Sequence, residues 1–285
     1  MKNKNILPEV VNFKITSRCN NDCKYCFGPE KTLKEMDFSK LKKLFQLLYK
    51  NGVKGVNLTG GEPLLYKDFR EVIYKLKEYH FKIFLNTAGD FFFKYKHLIS
   101  NNIDNLGLPI DFSESSYRNK NNLKTIIKIL SFYRDQGKRP KIKIATVVTK
   151  DNFDRLNEIG NLIKNYPVDI WKIYEFIPQS INAIKNKRLL EIPSKNFSGL
   201  TKKIKKQFSK YFKVIISRRK DRNRAYFFIG SDGEVTVPVD DFDICREIKV
   251  GNIFEKDVIE KWRKLVSENN YINNIEITFG HKFNA

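Results

Sequence analysis

Cysteine is scarce in this chain, and its scarcity excludes a fold held together by disulfides. Only four cysteines occur among 285 residues, too few for the disulfide framework of a small secreted protein. Three of the four lie within one stretch of eight residues, and clustered cysteines in an intracellular protein more often bind metal. The sequence therefore points first to a metal centre in a reducing compartment.

Long hydrophobic runs are also lacking. No uninterrupted apolar stretch reaches the length of a membrane span. Residues 1–5 are polar, and a strand-like run begins at Ile6 where a signal peptide would have its hydrophobic region. We therefore expect a cytoplasmic protein with no membrane partner. The sequence carries no signal for its oligomeric state.

Acidic residues are few relative to basic ones. The chain has 32 Asp and Glu against 54 Lys and Arg, a net charge of +22, which favours polyanionic partners such as nucleotides or nucleic acid. A lysine-rich composition with solvated lysines explains the same charge without any partner. The hydrophobic fraction of 41% excludes a disordered chain in either case.

Six apolar strands alternate with five helical segments along the first part of the chain. The predicted strands cover residues 10–15, 53–58, 81–85, 103–110, 142–148 and 168–177. One helix between them ends at Asn51 and Gly52, and another begins at Asp68, with Glu71 completing a capping box. The short connections predict parallel strands. This α/β pattern leaves a flat doubly wound sheet and a curved partial barrel open, and in both the loops at the carboxyl ends of the strands carry the site.

The alternation of strands and helices is predicted to end at Pro178. The elements expected after it are a helix at 197–208, strands at 214–217, 224–229 and 234–239, a hairpin turn at 231–233 and a helix at 258–266. We therefore expect a core domain of residues 1–178 and a smaller α+β C-terminal region of residues 179–285 packed on it.

Cys19, Cys23 and Cys26 follow the first predicted strand. Their thiolates can converge on one four-iron cluster, and three ligands leave one iron without a protein ligand. The alternative is a zinc knuckle completed by Cys245 or a histidine, although the spacing is not that of paired Cys-x2-Cys ligands. A metal-cluster module that binds nucleic acid is the hypothesis outside enzymes.

Gly60, Gly61, Glu62 and Pro63 follow the second predicted strand. Glycines let the backbone approach a ligand closely, and proline fixes the turn. Together, the cysteine pattern after the first strand and this loop after the second resemble the radical S-adenosylmethionine (SAM) enzymes. The resemblance implies a partial (β/α)6 barrel with a smaller C-terminal extension.

The resemblance also implies the chemistry. In that family three thiolates hold a [4Fe–4S] cluster whose open iron binds SAM, and an electron from the cluster cleaves SAM to a 5′-deoxyadenosyl radical that abstracts hydrogen from the substrate. It therefore implies an enzyme with Cys19, Cys23 and Cys26 as cluster ligands and SAM as the second cofactor. It further implies a reductase, ferredoxin or flavodoxin as electron donor. The protein positions the cofactors and excludes solvent.

The same resemblance assigns a set of residues to SAM. They are Gly60, Gly61, Glu62 and Pro63 near the methionine amino group, Tyr25 or Phe27 near the adenine, and Asn86, Thr87, Asp111 and Ser113 at the ribose and methionine carboxylate. Ordinary turn chemistry at strand ends is the alternative for the last four.

Within the family, the first two-thirds of the chain resembles viperin-type nucleotide dehydratases and the related molybdenum-cofactor and peptide-modifying enzymes. The resemblance to viperin lies in residues 11–13, 171–175, and 215–217 followed by 225–227. It implies dehydration of a nucleoside triphosphate such as CTP, started by abstraction of the 4′ hydrogen. The chain departs from that pattern at residues 178–182, where a Gly-Glu-Asn stretch is expected.

The C-terminal part resembles the auxiliary-cluster "twitch" or SPASM region of peptide-modifying members. Such regions need several cysteines for a second cluster, and only Cys245 is present here. We therefore expect the same shape without a second cluster, and a buried or surface thiol at Cys245. Modification of a ribosomal peptide, suggested by this region, or of RNA, suggested by the net charge, stays open as the alternative reaction.

A triphosphate substrate requires cationic donors. The candidates are Arg118, Lys120, Lys143, Lys172, Arg218 and Arg219. Arginine suits bidentate phosphate binding, although in a chain this basic most of these side chains are explained as exposed charges. Lys143 and Lys172 are favoured because each lies inside an otherwise apolar strand, where an inward charge needs a partner or a purpose.

Overall fold

The computed structural model describes residues 8–28, 34–111, 122–241 and 243–279. Within these residues the chain forms ten strands and eleven α-helices. The strands are β1 (Val10–Thr16), β2 (Gly55–Gly60), β3 (Lys82–Asn86), β4 (Asn105–Pro109), β5 (Lys141–Val148), β6 (Ile170–Glu175), β7 (Lys213–Ser217), β8 (Phe228–Ile229), β9 (Glu234–Asp241) and β10 (Ile244–Asn252).

The helices connect the strands and supply most of the apolar side chains that cover them. They are α1 (Phe38–Lys50), α2 (Phe69–Glu78), α3 (Phe92–Asn102), α4 (Asn122–Arg134), α5 (Leu156–Ile163), α6 (Ile181–Lys185), α7 (Lys187–Leu190), α8 (Ser194–Phe208), α9 (Arg219–Arg222), α10 (Val258–Leu265) and α11 (Glu268–Phe279). None of these helices is long and apolar enough to cross a membrane.

The chain divides into two compact units. The first consists of Met1–Cys19, Gly28–Leu85 and Lys220–Ala285, and the second of Asn20–Phe27 and Asn86–Arg219. The sequence division at residue 178 stays a prediction. The first unit takes its strands from distant parts of the sequence, whereas the strands of the second unit all lie within Asn86–Arg219.

The first unit is built on β1, which pairs in parallel with both β2 and β8. The predicted apolar stripe of α1 is confirmed: Leu41, Leu44, Phe45 and Leu48 are all buried, and the Phe45 ring meets that of Phe13 in β1 edge to face at 6.4 Å. Helix α1 also ends as predicted, since Gly52 follows it at φ +75°.

The predicted capping box at Asp68 is wrong. Helix α2 does follow Asp68, but the Asp68 side chain makes no capping hydrogen bond. The backbone of Asp68 has φ −100° and ψ +33°, whereas a capping residue is normally extended. The cause is the preceding turn, in which the Phe69 amide donates to the Tyr66 carbonyl at 3.2 Å.

The hairpin turn predicted at residues 231–233 of the first unit is confirmed, but the strands beside it differ in length from the prediction. Gly233 occupies the turn at φ +90°, and the Gly230 amide donates to the Glu234 carbonyl at 2.7 Å. Strand β8 has two residues where six were predicted, because Arg224 lies at φ +54° and breaks the extended run. Strand β10, antiparallel to β9, was missed because its sequence mixes charged and apolar residues without regular alternation.

The second unit contains four parallel strands in the order β4, β5, β6 and β7. The end of the strand–helix alternation at Pro178 is wrong by one repeat, since β7 pairs with β6 in parallel. Helix α8 makes this crossover, and the Phe208 and Phe212 rings lie 5.7 and 5.9 Å from that of Trp171. Two short helices, α6 and α7, come before α8 and obscure the repeat in the sequence.

One face of each unit's sheet is polar. Parallel sheets covered on both sides are normally apolar on both faces. In the first unit, however, Asn12 lies opposite Asn57 and Lys14 opposite Thr59. Two of these side chains bond to each other, since the Asn57 side-chain amide donates to Oδ1 of Asn12 at 2.7 Å, and Lys14 is paired with Glu247 of β10.

Candidate cofactor site

The three clustered cysteines occupy the loop that leaves the carboxyl end of β1. Cys19, Cys23 and Cys26 are half-buried, whereas Cys245 is 3% exposed. The Cys26 amide donates to the Cys23 carbonyl at 3.1 Å, which turns the chain back on itself. Cys245 is buried in β10, and the expectation that it is a thiol and not a ligand stays a prediction.

The glycine loop, residues 60–63, lies very close to the segment that leads into the cysteine loop, residues 19–26. The Gly61 amide donates to the Thr16 carbonyl and the Glu62 amide to the Arg18 carbonyl, both at 2.8 Å. A Cβ added at Gly60 would lie 2.3 Å from the Thr16 oxygen, and one at Gly61 would lie 2.2 Å from the Arg18 oxygen. Glycine is therefore required here so that this loop can hold the backbone immediately before Cys19.

Glu62 and Pro63 shape the rest of that loop. Glu62 is buried, and its Oε1 accepts from the Leu64 amide at 3.1 Å. Pro63 begins a short 3-10 turn through Leu65, a position where a missing amide hydrogen costs nothing. The Glu62 carboxylate thus caps its own turn, and its proposed contact to SAM stays a prediction.

A carboxylate that sequence reasoning missed fixes the first half of the cysteine loop. The side-chain amides of Asn20 and Asn21 both donate to Oδ2 of Asp90, at 2.7 and 3.1 Å. The available signal was position, because Asp90 follows the loop after β3, on the edge where the other candidates were expected.

The second half of the loop rests on α6 and the segment before it. The Ser180 hydroxyl donates to the Cys26 carbonyl at 2.6 Å, and the side-chain amide of Asn182 donates to Oδ1 of Asp22 at 2.9 Å. An apolar cluster beneath them packs against Cys23; its buried members are Tyr25, Phe176, Ala183 and Leu190. The Ser180 and Asn182 contacts come from residues 178–182, where the chain departs from the viperin pattern.

Tyr25 and Asp111, both predicted SAM contacts, are hydrogen-bonded to each other. The Tyr25 hydroxyl donates to Oδ2 of Asp111, and Oδ1 of Asp111 accepts from the Val147 amide at 2.9 Å. The Asp111 carbonyl accepts from the Asn152 side chain at 2.8 Å. These bonds fit the turn-chemistry alternative for Asp111, and Tyr25 forms part of the wall beneath the loop.

Asn86 and Lys143 are also brought together. The Lys143 ammonium donates to Oδ1 of Asn86 at 2.9 Å, and burial lowers the pKa of Lys143 to about 8. Gly107 makes room for this contact, because a Cβ there would lie 2.3 Å from Asn86 Oδ1. The Thr87 amide donates to the Gly107 carbonyl at 3.1 Å. Gly107 was not predicted as a site residue.

The remaining candidate cations differ in how deeply their side chains are buried. Lys172 is buried, with its ammonium 4.9 Å from the centre of the Tyr174 ring. Arg218 is exposed. The Arg219 amide donates to Glu175 at 2.7 Å, and its guanidinium lies 3.4 Å from Glu191. Phe27 is half-buried, and Ser113, Arg118 and Lys120 lie outside the described residues.

The donor set fits an iron–sulfur cluster. Throughout the described ranges, no three His, Cys, Asp or Glu side chains are grouped to hold a single metal ion. A four-iron cluster binds each thiolate at a different iron, so its protein ligands are a set of cysteines on one turned loop. Cys19, Cys23 and Cys26 are such a set.

These features define a class of enzyme that holds an iron–sulfur cluster and an organic cofactor at loops following parallel strands. Residues 13–163 match the model of the Radical SAM superfamily, which is more than half of the chain. The protein belongs to the radical SAM superfamily. It is therefore an enzyme whose cofactors are a [4Fe–4S] cluster and SAM.

Several curated relatives have names that describe enzymes acting on nucleotides. A probable GTP 3′,8-cyclase of Pyrococcus horikoshii is 26% identical over 241 residues, covering 79% of this chain and 73% of the relative. An S-adenosylmethionine-dependent nucleotide dehydratase of Fibrobacter sp. is 29% identical over 202 residues, covering 61% and 57%. A GTP 3′,8-cyclase of Clostridium botulinum is 27% identical, and the chain spans 55% of it.

Solved structures share the fold along nearly the whole chain. Streptococcus suis SuiB bound to S-adenosylmethionine superposes with a TM-score of 0.69 at 16% identity, covering 94% of this chain and 67% of that protein. Native anSMEcpe with bound AdoMet gives a TM-score of 0.67 at 18% identity, covering 92% and 83%. The predicted α/β fold class is confirmed.

Proposed function

We propose that this radical SAM enzyme abstracts hydrogen from a phosphorylated nucleotide, in a viperin-like dehydration of a nucleoside triphosphate such as CTP. The observation that carries the proposal is a pair of lysines, Lys143 and Lys172, buried on one face of the second unit's sheet. The names of the curated relatives and the net charge of +22 support the same substrate class.

Lys143 is a buried cation with a neutral partner. Its side chain donates to an amide oxygen, that of Asn86, and desolvation alone accounts for its lowered pKa. A phosphate beside it would raise that pKa and favour the charged ammonium. The site is therefore electrostatically suited to an anionic ligand.

Lys172 lies on the same face as Lys143. The register pairs Ala145 of β5 with Lys172 of β6, and Ala145 and Lys143 point to the same side because they are two residues apart. Two ammonium groups on one face suit a polyphosphate, which offers several oxygen acceptors to such point charges.

The other site residues position the cofactors. When bound, the cluster and SAM supply an electron and a hydrogen-abstracting radical. Cys19, Cys23 and Cys26 would hold the cluster, and Gly60 and Gly61 would bring the backbone close to the methionine part of SAM. The hydrogen-bonded wall of Tyr25 and Asp111 would keep water from this side.

The test is an anaerobic assay on the reconstituted protein. With dithionite and SAM, we expect release of 5′-deoxyadenosine, and with a panel of nucleoside triphosphates we expect a new product from one of them. Replacing Lys143 by Met should raise the KM for the triphosphate about tenfold or more while cofactor cleavage persists. Lys202→Met, at an exposed position of α8, is the control. An unchanged triphosphate panel beside active SAM cleavage would contradict the substrate proposal.

A second candidate substrate is a ribosomal peptide. The fold shared with the precursor-peptide complex of Streptococcus suis SuiB covers 93% of this chain, including its C-terminal part, with a TM-score of 0.68. Mass change in a co-expressed peptide would support this candidate. RNA is tested by the salt dependence of binding, because counterion release makes true RNA binding fall steeply with salt.

A further inference from the structure

Helices α6 and α7, named here the helical cover, lie directly on the cysteine loop. Their inward side chains Ala183 and Leu190 belong to the apolar cluster against which Cys23 packs. Ser180, which caps α6 through the Ala183 amide, also donates to the Cys26 carbonyl. The helical cover is therefore in direct contact with the loop that carries Cys23 and Cys26.

The outer face of the helical cover is apolar. Ile181 is 52% exposed, Ile184 is 37% exposed and Leu189 is 59% exposed, so three large aliphatic side chains of two short helices face outward. A single exposed apolar residue is ordinary, but a group of them on one element marks an interaction site.

The rim of that face is basic. Lys185 and Arg188 are exposed, and the Lys150 ammonium donates to the Arg188 carbonyl at 2.7 Å. Residues 180–190 contain three basic residues and no acidic one. Nearby acids are already paired: Asp22 accepts from Asn182, and Glu191 lies 3.7 Å from Lys187 and 3.4 Å from Arg219.

We propose that the helical cover is the docking surface for a small acidic electron-carrier protein of the flavodoxin type. An apolar centre with a basic rim complements a partner whose cofactor edge is apolar and whose surroundings are acidic. One electron leaves the reduced flavin of the donor and enters the oxidised cluster, so the two half-reactions balance. The inference rests on the radical SAM chemistry proposed above.

The experiment compares two reductants on the reconstituted full chain. Dithionite is small and needs no docking surface, whereas reduced flavodoxin must bind. In the Lys185→Glu/Arg188→Glu variant we expect the flavodoxin-driven formation of 5′-deoxyadenosine to fall about tenfold at low salt, with the dithionite-driven rate unchanged. The affinity of oxidised flavodoxin for the full chain, measured by isothermal titration at low salt, should fall by a similar factor in this variant, and Leu189→Ser should act in the same direction.

The matched control is Lys202→Glu/Lys206→Glu, which makes the same change of charge at exposed positions of α8. An equal loss in this control, or no loss in the cover variant, would overturn the docking site. So would a wild-type protein that reacts with dithionite but not with flavodoxin, or a dimer that the cover variant dissociates. Failure of wild type with dithionite would instead overturn the proposed function itself.

Discussion

Gly61 shows why the glycine loop tolerates no side chain. Its amide bonds to Thr16, and its α-carbon lies so close to Arg18 that a Cβ would meet backbone, which cannot rotate away. Sequence reasoning assigned the two glycines to close approach of a ligand. The structure shows that they already allow close approach of the segment that leads to Cys19, so they act on the cluster ligand through the backbone.

Replacing Gly61 by Ala should therefore displace the cysteine loop. We expect a loss of stability of about 2 kcal/mol and a fall in iron retained per chain after anaerobic reconstitution. The control is Gly137→Ala, where an added Cβ meets nothing within 4 Å. Equal iron content in the two variants would show that the close approach does not position the cluster ligands.

The buried ammonium of Lys143 should make the free energy of unfolding depend on pH. Burial lowers its pKa from 10.5 to about 8, so between these values the unfolded chain binds more protons than the folded one. Stability therefore rises with pH across this window and is lowest, by about 3 kcal/mol, below pH 8. Urea unfolding of wild type and Lys143→Met from pH 7 to 10.5 measures this, since the difference between them should shrink as pH rises. A difference that is constant with pH would contradict the burial of a charged Lys143.

At the scale of elements, the strands that could be predicted are short segments rich in apolar residues that lie between helices with a clear apolar stripe. The first six were recognised in this way, whereas β10 carries Arg246, Glu247 and Lys249 and gave no signal. The role of Glu247 is visible only in the folded sheet, where its carboxylate accepts from the buried Lys14 ammonium of β1 and from the Thr236 hydroxyl of β9. Contacts between elements so far apart in sequence depend on register, which no local pattern specifies.

Glu247→Ala tests that contact. Removing the carboxylate leaves the Lys14 ammonium buried without its partner, and we expect a loss of about 3 kcal/mol in the free energy of unfolding. Glu260→Ala provides the comparison, because its pair with Lys264 is exposed on both sides and should contribute less than about 1 kcal/mol. Equal effects in denaturant titrations would mean that Lys14 is stabilised by something other than Glu247.

At the scale of the whole molecule, the class of reaction could be predicted from the sequence better than the residues that hold the site in place. The cysteine spacing and the glycine loop are local in sequence, and they indicated the superfamily that the family model then showed. Asp90, Gly107 and the helices α6 and α7 were missed. Each acts by contacting a residue far away in the chain, so its role exists only in the folded protein.

Transfer of deuterium from the nucleotide to 5′-deoxyadenosine tests directly whether a nucleoside triphosphate is the substrate. The protein would be incubated with SAM, dithionite and nucleoside triphosphates deuterated throughout the ribose, and the 5′-deoxyadenosine would be analysed by mass spectrometry. We expect deuterium in the 5′-deoxyadenosine with at least one triphosphate and a dehydrated nucleotide beside it. Abundant 5′-deoxyadenosine free of deuterium with every triphosphate would contradict this expectation.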